Sequence, residues 1–252
     1  MGGVKKLFRW FGLLFVLVLC FVSGFLMARL QRGPIVLGQD AVVVGVPASH
    51  VKVELKKDAG IYLDIQPIGV SRAAFIFYPG GLVRPQAYEW LGIALSQVGI
   101  RTIIPEMPFD LAVFSPDRAS KLLQLTGLPD TVLLGGHSLG GAMAARYALK
   151  HAEQLDGLIL MGAFSAKTDD LSSLLLPTLV LAAEHDGLAT VDEIRSSLSR
   201  LPADAEFELV PGSVHSFFGR YGSQQGDGLA TVSRTDAEPL IIEKLKAFLE
   251  PF

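Results

Sequence analysis

The sequence predicts an α/β fold: one mostly parallel sheet of about eight strands with helices on both faces, preceded by a single N-terminal transmembrane helix. Three observations predict it. From residue 73 onward, short apolar runs alternate with amphipathic stretches, the rhythm of strand–helix–strand crossovers. Those runs, such as "AAFIFYP" and "TLVLAAE", are continuously apolar rather than alternating, which suits strands covered on both faces. Near the N-terminus, nineteen residues from Trp10 to Ala28 carry no charge.

That run, at 1.5 Å per helical residue, spans about 28 Å, close to the hydrocarbon thickness of a bilayer. It is longer than the apolar core of a cleaved signal peptide, and "GFLMARL" offers no Ala-x-Ala site. The expectation is an uncleaved signal anchor over 10–28, with a basic flank over 1–9. Leu19 before Cys20 argues against a lipoprotein box, where a small residue is required. Lys5, Lys6, Arg9 and the α-amine outnumber Arg29 and Arg32, so the positive-inside rule places the rest of the chain outside the cytoplasm. Gly33-Pro34 opens a linker over 29–40, and 41–252 forms one domain.

Half of the residues are hydrophobic and 19% are charged, enough apolar surface for one large core. A net charge of −3 gives no electrostatic case for nucleic acid. Cys20 is the only cysteine, so an intrachain disulfide and a cysteine metal cluster are excluded. The chain has no internal repeat and no low-complexity tract.

In order, "AVVVGV" (41–46), "VKVELK" (51–56) and "IYLDI" (61–65) read as short strands of an antiparallel start. Strands follow at 73–79, 101–108, 130–136, 157–163, 178–184 and 205–211. Helices are expected at 85–99, stopping at Gly99, and at 116–127, with Ser115 as cap and Gly127 as stop. Further helices are expected at 139–150, 190–201 and 234–250. In such sheets, ligands sit at the carboxyl ends of the strands.

Gly136-His137-Ser138-Leu139-Gly140 lies between an expected strand and an expected helix. In that context Gly-x-Ser-x-Gly is a nucleophile elbow: a serine in a strained turn, with small neighbours so that strand and helix can approach. A serine needs a base and an orienter. Asp186, in the turn after the strand "LVLAAE", is the candidate acid, with Glu184 as the alternative nearer the strand end. His215, just beyond the last strand, is the candidate base. His50, His137, His151 and His185 fit less well and read as surface or packing residues. Pro79-Gly80-Gly81-Leu82 ends an earlier strand. There the N–H of Gly81 or Leu82, with that of Leu139, would form an oxyanion hole.

Together these stations resemble the α/β-hydrolase superfamily over about residues 40–250. The closer likeness is to the small, capless, dienelactone-hydrolase-like group, called the α/β-hydrolase fold-5 family, through "FYPGG", "GGHSLGG" and "HSFFGRYGSQQGDGLATVSR". The resemblance implies an α/β-hydrolase fold and a Ser138–Asp186–His215 hydrolase of an ester or related acyl bond. It carries no substrate over. Dienelactone hydrolases themselves use cysteine as nucleophile, a departure that argues against a dienelactone substrate here.

Only about 15 residues separate two late strands (164–177), too few for a helical cap, so an open site is expected. Phe109, Phe114, Phe164, Phe217 and Phe218 are candidates for an apolar acyl pocket, each with core packing as the plainer role. The polar tail after His215 reads as a loop that wraps back and fixes it, with Arg220, Asp227 and Arg234 pairing inside. Glu106 reads as an ion-paired rim carboxylate. No metal, nucleotide or organic cofactor is called for. The expected partners are a small acyl substrate and a membrane, with oligomeric state left open. An acyltransferase on the same three residues, or an inactive membrane-tethered binding protein, are the competing readings.

Overall fold

The computed structural model describes residues 2–30 and 51–252. These fall into two units, one carrying the N-terminal helix and one carrying the domain from residue 51 onward. The strand expected at 41–46, His50 and most of the linker lie outside the described residues.

The first unit is helix α1, Gly2–Leu30. Trp10–Met27 has a mean hydropathy of 2.5. The helix is long and apolar enough to cross a membrane, and its backbone groups pair within it, as a hydrocarbon environment demands. It runs two residues past the expected end of the apolar span.

The domain is built on β1 (Val51–Lys56), β2 (Tyr62–Pro67), β3 (Ala73–Tyr78), β4 (Ile100–Pro105), β5 (Val132–His137), β6 (Gly157–Met161), β7 (Thr178–Ala183) and β8 (Glu206–Val210). They form one sheet in the order β1-β2-β4-β3-β5-β6-β7-β8. β1 and β2 pair antiparallel, as do β2 and β4, and every pair from β4 onward is parallel. Every residue of β3 through β7 is buried. This is why these strands read as unbroken apolar runs.

Helices α2 (Glu89–Ser96) and α6 (Arg234–Leu249) cover one face, through Leu91, Leu95, Ile241 and Leu245 on Phe75 and Phe77. Helices α3 (Ala119–Leu122), α4 (Leu139–His151) and α5 (Val191–Ser197) cover the other, through Leu122, Ala144, Ala145 and Ile194 with Ile76 and Leu134. Capping boxes start α5 (Thr190 with Glu193) and α6 (Ser233 with Asp236).

Two expected helices are shorter than read. Residues 85–88 form a 3₁₀ turn ahead of α2, and Gly99 ends the segment at φ 80°. The helix expected at 116–127 shrinks to a 3₁₀ turn and the single turn of α3, and Ser115 makes no side-chain cap. Tyr78 Oη takes the cap's place: it accepts the Ala119 N–H at 2.6 Å and donates to Pro116 O at 2.9 Å.

The chain leaves β3 for β4 on one side and returns through β5 on the other. That reversal opens a crevice beyond the carboxyl ends of β3 and β5. The sequence places its glycine pairs and Ser138 there.

Candidate functional site

Ser138 stands between β5 and α4 with φ 54° and ψ −124°. Such a backbone costs a non-glycine residue about 1–3 kcal/mol and persists only when its surroundings impose it. Here they do. The Ser138 N–H donates to Met161 O at 3.0 Å, and Ser138 O accepts from Ala142 N at 3.0 Å. A Cβ on Gly136 would lie 2.7 Å from Tyr78 O, one on Gly140 2.2 Å from Tyr78 O, and one on Gly141 2.4 Å from the Ala163 Cβ. Only glycines let α4 come this close to β3 and β5. Ser138 itself is half-buried.

Asp186 lies in the turn after β7. Its Oδ1 accepts the N–H groups of Leu188 and Ala189 at 2.8 and 2.7 Å. Its Oδ2 is 2.7 Å from His215 Nδ1, with both side chains buried. An ionised carboxylate only accepts, so His215 carries its proton on Nδ1 and turns the Nε2 lone pair outward from the pair. His215 Nε2 is buried with no hydrogen-bond partner. The structure brings His215 and Asp186 together. It does not form a hydrogen bond between His215 and Ser138. The two share an edge: Met161 takes the Ser138 N–H, and a Cβ on the next residue, Gly162, would lie 3.2 Å from His215 Nδ1.

The tail beyond His215 wraps back as expected, and one of its residues does more than the sequence signalled. Asp227 accepts the N–H groups of His215 at 2.9 Å and Ser216 at 2.8 Å, clamping the backbone that carries the imidazole. Its flanking glycines touch the acid's turn. A Cβ on Gly228 would fall 1.8 Å from His185 O, and one on Gly187 2.3 Å from Gly226 O. The Gly-Asp-Gly spacing was the available signal, since it lets a carboxylate sit where only backbone can approach. Arg220 pairs outside the tail, with both carboxylate oxygens of Glu238, and Arg234 lies over the Phe217 ring.

After β3, the Gly80 N–H donates to Tyr88 Oη at 3.0 Å. Leu82, at φ 62°, donates its N–H to Asp110 O at 2.7 Å. Leu82 was one of the expected oxyanion donors. Its N–H is committed to Asp110 O, which corrects that expectation for Leu82. A Cβ on Gly81 would lie 3.3 Å from Leu139 Cδ2. Leu139 opens α4, where an N–H has no helical carbonyl to reach.

Glu106 pairs with Arg84, which also reaches Asp110 at 3.1 Å. Glu184 accepts the Gly212 N–H at 2.7 Å, a structural bond away from His215. His151 packs on Tyr147, and half-buried His185 lies beside exposed Glu184. Phe218 is core, while Phe164 and Phe217 are half-buried against it. Phe109 and Phe114 are exposed and pack edge to face. Residues 162–177 form turns and no helix. No group of three or more metal-ligating side chains placed to hold an ion occurs among the described residues.

This sheet order, with helices on both faces and a strained serine where strand meets helix at the crevice, is the architecture of α/β hydrolases. Residues 74–238 match Abhydrolase_5, the alpha/beta hydrolase family, and the chain belongs to that family. Among solved structures it is similar to a predicted CIB-like hydrolase from Thermoplasma acidophilum. That likeness has a TM-score of 0.61 and 14% identity, covering 78% of this chain and 98% of that one; it is a likeness of fold. No curated protein matches the chain.

Proposed function

We propose that the protein is a membrane-anchored serine hydrolase that cleaves an ester or related acyl bond through an acyl-enzyme on Ser138. One observation carries the reading: a buried imidazole held on Nδ1 by Asp186, its Nε2 without a partner, on the sheet edge where Ser138 is strained. Ser138 Oγ attacks the carbonyl carbon and gives its proton to His215 Nε2. Asp186 holds the tautomer and stabilises the imidazolium. The N–H groups of Leu139 and Gly81 take the charge on the carbonyl oxygen. As the tetrahedral adduct collapses, the imidazolium protonates the leaving alkoxide and the bond to it breaks. His215 then takes a proton from water as the water oxygen bonds to the acyl carbon; the bond to Ser138 Oγ breaks, the imidazolium returns its proton to Oγ, and the carboxylic acid leaves.

The helix-free segment 162–177 leaves the crevice without a cap, which supports membership in the small, dienelactone-hydrolase-like group. In this reading α1 is an uncleaved anchor. Lys5, Lys6 and Arg9 stay on the cytoplasmic side and the hydrolase domain faces away from the cytoplasm.

A fluorophosphonate probe tests the chemistry. The full chain in detergent should label, and Ser138→Ala should abolish the label. Absence of labelling in the native chain under conditions where it is folded would refute the proposal.

A further inference from the structure

A second imidazole lies against the first. His137, between Gly136 and Ser138, is buried, and its ring centroid is 4.5 Å from that of His215. Its Nδ1 is 2.9 Å from Tyr88 Oη. Tyr88 Oη already accepts the Gly80 N–H at 3.0 Å, so its single proton is free to go to His137 Nδ1. That direction would make His137 the neutral Nε2–H tautomer, with Nε2 buried and without a hydrogen-bond partner. The contact with the loop is close: a Cβ on Gly80 would lie 2.9 Å from His137 Nδ1 and 3.0 Å from Tyr88 Oη. Phe218 and Tyr221 complete the surround, with ring centroids 5.6 and 6.1 Å from that of His137.

We infer that His137 is a positioning residue. Held by Tyr88 in the neutral Nε2–H form, it ties the Gly80–Gly81 loop to the ring of His215. The inference rests on the proposed roles of His215 and Gly81. A rigid link from Gly80 N–H through Tyr88 Oη to the His137 ring fixes the distance between the oxyanion donor and the base, two groups that must act on one carbonyl. Neutrality matters as much as position. His215 becomes a cation when it takes the serine proton, and a second cation packed against it would oppose that step.

The titratable groups facing His137 are Tyr88 from the turn before α2, and His215 and Tyr221 from the segment after β8; Asp186 lies beyond His215, on its Nδ1. Burial raises Tyr88 and Tyr221, which keeps both hydroxyls protonated. Burial first, and then the nearby His215, holds His137 well below its ordinary value.

The test uses the full chain in detergent and p-nitrophenyl acetate. Tyr88→Phe keeps the ring and removes the hydroxyl. It should lower kcat about 10- to 100-fold, the cost of a misplaced reacting group, with KM changed less than about twofold. The acid limb of its kcat/KM profile should move to higher pH, because Nδ1 of His137 is then open to a proton. His137→Asn, whose amide oxygen can still accept from Tyr88, should retain more activity than His137→Leu. Nitrogen-15 NMR of labelled histidine should find His137 neutral and Nε2-protonated at pH 6. A native chain that labels, with Tyr88→Phe matching it in kcat, KM and pH profile, overturns this inference alone, as does an Nδ1–H tautomer. A native chain that neither labels nor hydrolyses the ester overturns both this inference and the proposed function.

Discussion

His215 Nδ1 and Asp186 Oδ2 lie 2.7 Å apart, from residues 29 positions apart in sequence, and neither side chain meets solvent. The carboxylate is itself held by two backbone N–H groups of its own turn. The imidazole is therefore fixed in orientation and in tautomer, with its Nε2 buried and without a hydrogen-bond partner.

Asp186→Asn should preserve the fold and this geometry while offering Nδ1 an amide that favours the wrong tautomer. The expected loss in kcat is about 10⁴-fold with KM little changed. Steady-state kinetics on a p-nitrophenyl ester would measure it, and a loss below about tenfold would remove Asp186 from the mechanism.

Asp227→Asn tests the clamp on the His215 backbone. Asp227 accepts from His215, Ser216 and Gly228 through both oxygens, and an amide nitrogen would face one of those donors. Leaving a donor of this kind without an acceptor costs about 1–3 kcal/mol in stability. The fluorophosphonate labelling rate should fall while the fully labelled fraction at long times is retained. An unchanged rate would make the clamp irrelevant to the imidazole.

The two glycines beside Ser138 and after β3 should behave differently. Gly140→Ala puts a methyl 2.2 Å from Tyr78 O and 2.3 Å from Pro79 O, both backbone atoms that cannot swing aside. It should cost about 1–3 kcal/mol or more and abolish labelling. Gly81→Ala meets only side-chain atoms, Leu139 Cδ2 at 3.3 Å and Leu111 Cδ2 at 3.6 Å, and keeps its N–H. It should fold and label. Denaturant melts and probe gels on the two variants provide the comparison.

His137 gives a pH dependence with a definite sign. Its folded pKa lies below the unfolded value of 6.5, chiefly through burial. As pH falls below about 6.5, the unfolded chain binds a proton that the folded chain refuses. Stability then declines by up to about 1.4 kcal/mol per pH unit until the folded pKa is reached. Melting temperatures between pH 7 and 5 should fall more steeply for the native chain than for His137→Asn. Parallel slopes would show that His137 does not titrate differently in the two states.

Much of this architecture is legible without coordinates. β3 to β7 announce themselves because each is buried on both faces, and the β1–β2 hairpin does so through its turn residues. Short elements read less well. The segment 116–127 has helical composition, yet Tyr78 Oη ties down its first turn, and Asp117 at ψ 22° breaks from helical geometry. A hydroxyl 41 residues away in the chain leaves no mark on local periodicity.

The same division runs through the site. The sequence alone determined the fold class, the apolar N-terminal span, the strained turn at Ser138, and an acid and a histidine following in order. Each of these is encoded locally, by burial of a residue's own side chain or by glycines small enough to let strand and helix approach. Only the tertiary structure decided that Leu82 gives its N–H to Asp110, that Asp227 holds the His215 backbone, and that Gly80, Tyr88 and His137 form one chain of contacts. A hydrogen bond is a property of two groups, and the partner each donor finds is set by how distant segments pack around the sheet.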